Sequence, residues 1–469
     1  MTDKISAPNV YLYAFQLYHN SEGSNNPLWQ KCDNILRKFT YKKLTHHLKS
    51  PKRSHDQCED LLLKTPLEFT RSNPLIEGFA QPLQIQDSYA LWLNIGCPED
   101  GTADNLDVSF IKEINPENIL LIDGDDNFLG QTLLLTGWLT ENNLPDNIDY
   151  SLPFAELCCN HIDYFKPIAN QCRNALLPGD STPIFYRSGI LFGSPIFEYG
   201  LISDIANIAN YRHLLVWLLC DKQTDKDFNT CQQEIIDLLF YRNKIIKSFQ
   251  DSRKIYHDLV KNYDEIEEDI KYLQQQLAKI RSSLTTADLE TLKQQLKVLL
   301  GKALSYTSVL RKLEAFDNTI AINLNNYSDI LQKICDTLKT DKEELSILNH
   351  FEIKTAPYMR SQIAGDLGYF KHGTDLIESA IASIRGIVEI EQAKSDRALQ
   401  TRVTVIGVGL GVSGVAATAY PYLIKQDPPN PINFTLSIII SLCLGVIAAA
   451  IAFTAIQIWP HLCPKKPRN

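Results

Sequence analysis

Three clusters in the chain carry residue types that could do chemistry. Cys158, Cys159 and His161 stand close together, and Cys172 follows. Thiolate and imidazole are zinc ligands, and a Cys–His pair can act as nucleophile and base. A structural zinc site needs paired ligands at C-x₂₋₄-C spacing twice over, however, and a nucleophilic pair needs spatial adjacency that closeness in sequence does not supply. The second cluster, Asp123-Gly124-Asp125-Asp126-Asn127, begins like a calcium loop. Its sixth position is Phe128 where the loop needs glycine, and its twelfth is Leu134 where it needs glutamate, so the expectation is an acidic turn. The third is the run Asn207-Ile208-Ala209-Asn210-Tyr211-Arg212-His213. It falls in a segment expected to be a buried helix, where Arg212 and His213 read as partners in a structural network. No P-loop, G-x-G-x-x-G or G-x-S-x-G occurs. No catalytic, cofactor-binding or metal-binding residue is assigned, no cofactor is expected, and the chain is expected not to be an enzyme.

The elements that would position these groups change character along the chain. Residues 9–18 are β-branched and aromatic and read as a strand. Pro27 opens a helix with Leu28, Cys32, Ile35, Leu36 and Phe39 on one face. Residues 40–60 are basic, with Lys42, Lys43, Lys49, Lys52, Arg53 and three histidines, and read as a solvated helix and loop. Further strands are expected at Ser88–Ile95, Ile119–Ile122, Gln131–Leu139, Pro183–Gly193 and Ser194–Tyr199, giving an α+β domain over residues 1–200. From Leu201 the residues Ile202, Ile205, Ala206, Ala209, His213, Val216 and Trp217 fall at three- and four-residue steps, as in an amphipathic helix. A heptad register runs from Tyr256 to Leu284 and restarts at Leu289, with Thr285 and Asp288 offering a capping box between the two segments. That pattern points to an antiparallel helical hairpin or to one continuous stalk, within a helical and coiled-coil region over 201–402. Two more helices are expected at Tyr327–Leu348 and Ala356–Arg402.

The end of the chain is different again. Val403–Ile424 and Ile432–Trp459 contain no charged residue. Each is long enough to cross a hydrocarbon core of about 30 Å, which takes about 20 helical residues. The expectation is a two-helix transmembrane hairpin over 403–459 and a basic tail over 460–469. Arg397 and Arg402 precede the first span and Lys465, Lys466 and Arg468 follow the second, so both termini and the soluble domain are placed in the cytoplasm of a cell with this protein in its inner membrane. Gly407 and Gly411, Gly414 and Thr418, and Gly445 and Ala449 are each four apart. Such small-residue faces let membrane helices approach closely, in an oligomer, a pore wall or one hairpin. The net charge of −9 disfavours a nucleic-acid partner. The expected partners are the lipid bilayer and further copies of the chain in a homo-oligomer.

Two resemblances attach to these residues. Val10–Leu17, Trp29, Leu91–Ile95 and the stretch Phe185–Trp217, followed by a coiled-coil region, resemble the CATRA family of bacterial conflict-system proteins, associated with caspase-like peptidases and TPR repeats. That resemblance covers roughly residues 9–315. It implies a non-enzymatic sensor, adaptor or membrane effector of an antiviral defence system, with a caspase-like peptidase as a separately encoded partner. The chain itself contains no caspase signature. The overall layout, a cytoplasmic α/β domain, a helical stalk and a C-terminal hairpin with a basic tail, is similar to the CorA class of divalent-cation channels. That class ends its first span with Gly-Met-Asn, where this chain has Tyr420-Pro421-Tyr422-Leu423-Ile424.

Overall fold

The computed structural model describes residues 3–18, 26–49, 58–62, 66–99, 101, 103–144, 151–179, 182–200, 211–279, 284–423 and 431–462. Side chains at 142, 279, 286, 395, 413–423, 431–437 and 456–462 fall outside that description. The chain divides into two units: Met1–Lys261 with Tyr306–Lys371, and Asn262–Ser305 with His372–Asn469.

The first unit is built on a mixed sheet of ten strands: β1 (Lys4–Leu17), β2 (Glu59–Asp60), β3 (Leu67–Ser72), β4 (Leu75–Ile85), β5 (Ser88–Gly96), β6 (Leu106–Asp107), β7 (Phe128–Trp138), β8 (Phe185–Leu191), β9 (Ser194–Tyr199) and β10 (Leu214–Leu219). The order is β2-β4-β5-β1-β7-β10-β9-β8, with β3 also on β4 and β6 on β1. Every pairing is antiparallel except β7 with β10.

β1 lies inside the sheet because its sequence suits burial on both faces. Val10, Leu12 and Ala14 join the core formed with Trp29, Cys32 and Leu36 of α1 (Pro27–Leu36). α2 (Phe154–Asn160) and α3 (Lys166–Leu176) add Leu157, Cys172 and Leu176 to that side. The alternate residues face the other way, where Phe15 lies 5.6 Å from Phe240 and Tyr11 meets Phe228 edge-on at 5.4 Å. Each large apolar side chain so enclosed contributes roughly 1.5–3 kcal/mol. Asn26 starts α1 by accepting from the Leu28 amide at 2.8 Å, with Pro27 at the first helical position. β8 and β9 form a hairpin turning on Phe192 and Gly193, both at positive φ (49° and 74°), which matches the right-handed twist of the strands.

The expected helix through Ile202, Val216 and Trp217 gives way to a strand in its second half. Residues 201–210 lie outside the described residues, and β10 carries Val216 and Trp217 into the sheet between β7 and β9. All six residues of β10 are buried, so its sequence LLVWLL has no polar face and no period to separate strand from helix. The sheet therefore takes a strand from beyond residue 200. Two further differences are local. Ile119–Ile122 is not a strand, and β3 and β4 arise from residues for which no strand was expected.

α4 (Lys222–Thr230) and α5 (Gln232–Lys279) follow the sheet. In the first unit, α6 (Thr286–Leu338) and α8 (Ala356–Leu423) are joined by a two-pronged Arg360–Asp317 pair at 3.1 and 3.2 Å. The Tyr306 hydroxyl donates to the Phe370 carbonyl at 2.8 Å, and Arg253 of α5 pairs with Asp366. The expected helix Tyr327–Leu348 does not form as one piece. α6 stops at Leu338 because Lys339 takes a left-handed φ of 55°, and α7 (Ser346–His350) starts afresh before a π-helical turn, Phe351–Thr355.

In the second unit, α5 and α6 fold back on each other. Lys302 lies 2.7 Å from Asp269 and 3.8 Å from Glu265, groups that one uninterrupted helix would hold roughly 50 Å apart. Ile266, Ile270, Leu273, Leu292 and Leu299 are buried, as the heptad register requires. The capping box is present: Thr285 Oγ1 accepts from the Asp288 amide at 3.2 Å, and Asp288 accepts from the Thr285 amide at 2.9 Å. α9 (Pro431–Leu462) ends the described chain.

Candidate functional site: a buried carboxylate and the cleft beside it

Strand alternation puts Phe197 and Tyr199 of β9 into the α1–α3 core and sends Glu198 to the other face. Neighbouring strands supply its partners there. Arg187 of β8 donates through Nε to Glu198 Oε2 at 2.6 Å. His213, next to β10, donates through Nε2 to Oε1 at 3.1 Å, and Arg242 of α5 donates through Nη2 to the same oxygen at 3.2 Å. The carboxylate only accepts, which fixes the imidazole proton on Nε2 and leaves Nδ1 to accept from the Thr132 hydroxyl at 2.9 Å. Thr132 accepts in turn from Asn243 at 3.4 Å. Arg187 also reaches the Ile347 carbonyl next to β8, and Arg242 donates to the Tyr211 hydroxyl at 3.0 Å.

Burial alone would raise the Glu198 carboxyl. The His213 bond and the two guanidinium charges outweigh it and hold the group well below the usual carboxylate range. For His213, burial and the Arg242 charge outweigh the Glu198 bond and lower the imidazole to about 4, so it is neutral at neutral pH. Hydroxyl, imidazole and carboxylate are linked in the order used by nucleophilic triads. Thr132 is 0 % exposed, Glu198 3 % and His213 4 %, so no substrate reaches the hydroxyl. His213 thus takes the network position expected of it, while Arg212 bonds only the neighbouring Tyr211 carbonyl, at 3.2 Å. Sequence reading missed Glu198, Arg187, Arg242 and Thr132. The available signal was a glutamate inside the otherwise apolar strand SPIFEY.

Tyr211 and Asn243 also line an adjoining cleft of about 490 Å³. Its other residues come from the segment before β7 and the start of β7, from Arg212, and from α5. The acidic cluster lies on it as the turn the sequence implied: Asp125 accepts from the Asn127 amide through Oδ1 and from the Phe128 amide through its carbonyl, both at 3.0 Å. Gly124 and Gly130 let this segment close up. A methyl group at Gly124 would stand 2.1 Å from Phe128, and one at Gly130 would stand 2.5 Å from Asn243 Oδ1.

The cysteine cluster is structural in its burial. Cys158 and Cys172 are fully enclosed in the core, and burial pushes the Cys172 thiol far up. Burial, reinforced by Cys158, raises Cys159 to about 11, the opposite of an activated nucleophile. Among the described residues no group of three or more His, Cys, Asp or Glu side chains could hold a metal ion.

In the second unit, Gly409 lies close against α9. A methyl there would stand 3.1 Å from the Gly445 carbonyl oxygen and 3.1 Å from Ala449 Cβ. Nothing lies within 4 Å of a methyl on Gly407 or Gly411, which are two residues away from Gly409 and so about 200° round the helix from it. The side chain of Thr418, and the surroundings of Gly414, lie outside the described residues. Among the described residues one segment is long and apolar enough to cross a membrane: Ile438–Ala455, with mean hydropathy 2.6 and 11 % of its residues buried. The connector 424–430 and the basic tail lie outside the described residues, apart from the end of α9.

No family model matches this chain, and no curated protein matches it, so the family resemblance rests on Phe185–Trp217 and its companion residues alone. Among solved structures, the complete structure of the CorA magnesium transporter from Methanocaldococcus jannaschii is similar at a TM-score of 0.25 and 13 % identity, over 72 % of this chain and 92 % of that one. A likeness at that level carries no argument about fold or activity.

Proposed function

We propose that this chain is a non-enzymatic, membrane-anchored component of a bacterial conflict system. In this reading α9 and the end of α8 sit in the bilayer as a hairpin, with the sheet unit and both termini in the cytoplasm. The sheet unit receives a signal or recruits a partner, with a separately encoded caspase-like peptidase as the partner class that the sequence resemblance implies.

The observation that carries the reading is Ile438–Ala455. Leu442, Leu444, Val446, Ile447 and Ile451 are each more than 40 % exposed on a helix with no charge. In water, leaving so much contiguous apolar surface uncovered is costly, and lipid removes the cost. The Gly409–Gly445–Ala449 contact supports a close helix pair of the kind membranes favour. The sealed Thr132–His213–Glu198 arrangement supports a structural use of the residue types that could otherwise catalyse.

Overexpression in bacteria tests effector against scaffold. Growth arrest with membrane depolarisation, lost on truncation after Lys394, supports the effector form. Unchanged growth with retained membrane association supports an adaptor. Cation flux through liposomes carrying the purified chain would replace both with a CorA-like channel.

A further inference from the structure

The root of α8 is not an ordinary helix start. The turn that leads into it, Phe351–Thr355, is π-helical, so it holds one residue more than an α-helical turn over the same path. Three contacts within the first unit hold this root to the sheet. The Ser346 hydroxyl accepts from the Ile190 amide at 2.8 Å and donates to the Ile190 carbonyl at 3.1 Å. Gly189 makes room for that fit, since a methyl there would run into Ser346 Oγ. Arg187 reaches the Ile347 carbonyl, and the Arg242 guanidinium lies 5.1 Å from the centre of the Phe351 ring. Both arginines that pair with Glu198 are therefore contacts of the root as well.

The second observation lies along α8 itself. Met359, Asp366 and Phe370 are buried, with Phe370 edge-on to Tyr256 of α5 and Tyr306 of α6. One residue ahead of each stands a side chain that is apolar or absent. Tyr358 and Tyr369 are 53 % and 60 % exposed, and nothing lies within 4 Å of a methyl on Gly365. In the second unit Leu376, also exposed, likewise precedes the buried Ile377. If the π turn tightens to an α turn, its extra residue is fed into α8 and each buried place passes to the preceding residue. That is a rotation of about 100° and a slide of about 1.5 Å. Tyr358 then replaces Met359, Gly365 replaces Asp366 and Tyr369 replaces Phe370. The present register is the lower in energy, because the other puts Gln362 in the buried place of Ile363 and parts Asp366 from Arg253.

We propose that α8 has two registers against α5 and α6, exchanged by the gain and loss of the π turn, and that the arginines around Glu198 hold the present one. Release of Arg187 from the Ile347 carbonyl lets the turn tighten and the second stripe pack, a helix shift between two packed arrangements. α8 runs on as one helix to Leu423, so a turn at its root is passed along it. The shift does not rest on the membrane reading, because the root, the network and the residues that report on it all belong to the first unit.

Cross-linking of the full chain in detergent tests it. The rings of Tyr256 and Phe370 lie 5.5 Å apart. Tyr256→Cys is combined in turn with Phe370→Cys, Tyr369→Cys or Gly368→Cys and treated with dibromobimane, and the products are mapped by peptide mass spectrometry. The product through Phe370→Cys is expected to dominate, and the one through Tyr369→Cys to exceed the Gly368→Cys control. Tyr358→Glu sits on the surface in the present register and buries a carboxylate in the other. It is expected to cut the Tyr369→Cys product at least about fivefold and leave the Phe370→Cys product unchanged. Deleting Ile353, an exposed residue of the π turn, removes the residue to be fed in and is expected to do the same. Arg187→Lys keeps a charge beside Glu198, gives up the Ile347 bond, and is expected to raise the Tyr369→Cys product at least about threefold. A Tyr369→Cys product no larger than the control, or one that Tyr358→Glu leaves unchanged, would overturn the second register. One that Arg187→Lys leaves unchanged would overturn its control by the sheet.

Discussion

Glu198 carries a negative charge into a place water does not reach, and its neighbours decide whether it stays there. Removing one member of a buried ionic network leaves the others uncompensated, at about 3–5 kcal/mol. Glu198→Gln is therefore expected to lower the stability of the first unit by about 3 kcal/mol or more, read from urea unfolding. The network also sets a pH dependence. His213 titrates near 4 in the folded chain against 6.5 unfolded, so between those values the unfolded chain binds a proton the native one does not. The contribution is whole above pH 6.5 and is lost as pH falls toward 4. Glu198, depressed below its unfolded 4.5, extends the loss to still lower pH. The urea midpoint should fall from pH 7 to pH 4, and His213→Gln should flatten that part of the curve. A midpoint indifferent to pH over this range would contradict a neutral His213 beside an ionised Glu198. Gly130, at φ 136° against Asn243, is a third point of leverage: Gly130→Ala is expected to cost about 1–3 kcal/mol from backbone strain alone.

At the scale of the element, what sequence reveals depends on whether one face is polar. α1 and the α5–α6 heptads alternate buried and wet positions, and their faces were readable from Leu28, Cys32 and Ile35 and from Ile266, Ile270 and Leu273. β10 is buried on both sides, so the period that would mark it as a strand is erased. The Glu198 network was illegible for a related reason. Its members lie far apart in sequence, from Thr132 to Arg242, and only the strand order brings them together. Glycines at 407, 409 and 411 populate two faces of α8, and within the chain it is Gly409 that meets Gly445 and Ala449. A direct test follows. Gly409→Val should weaken cysteine cross-linking engineered between α8 and α9, and Gly407→Val should leave it unchanged. Equal effects of the two would put the contact elsewhere.

At the scale of the whole molecule, a chain of net charge −9 carries a strongly polar sheet-and-helix part and an uncharged apolar end. The polar part pairs buried charges with one another, Arg187, Arg242 and His213 around Glu198 and Arg253 with Asp366. Among the described residues, Ile438–Ala455 at the apolar end is left 11 % buried. Membrane anchoring therefore stands or falls on where that helix resides. Membranes from cells making the full-length chain, washed with alkaline carbonate and spun at high speed, should retain it in the pellet, and detergent alone should release it. Recovery of the folded full-length chain in the carbonate supernatant would contradict anchoring by α9.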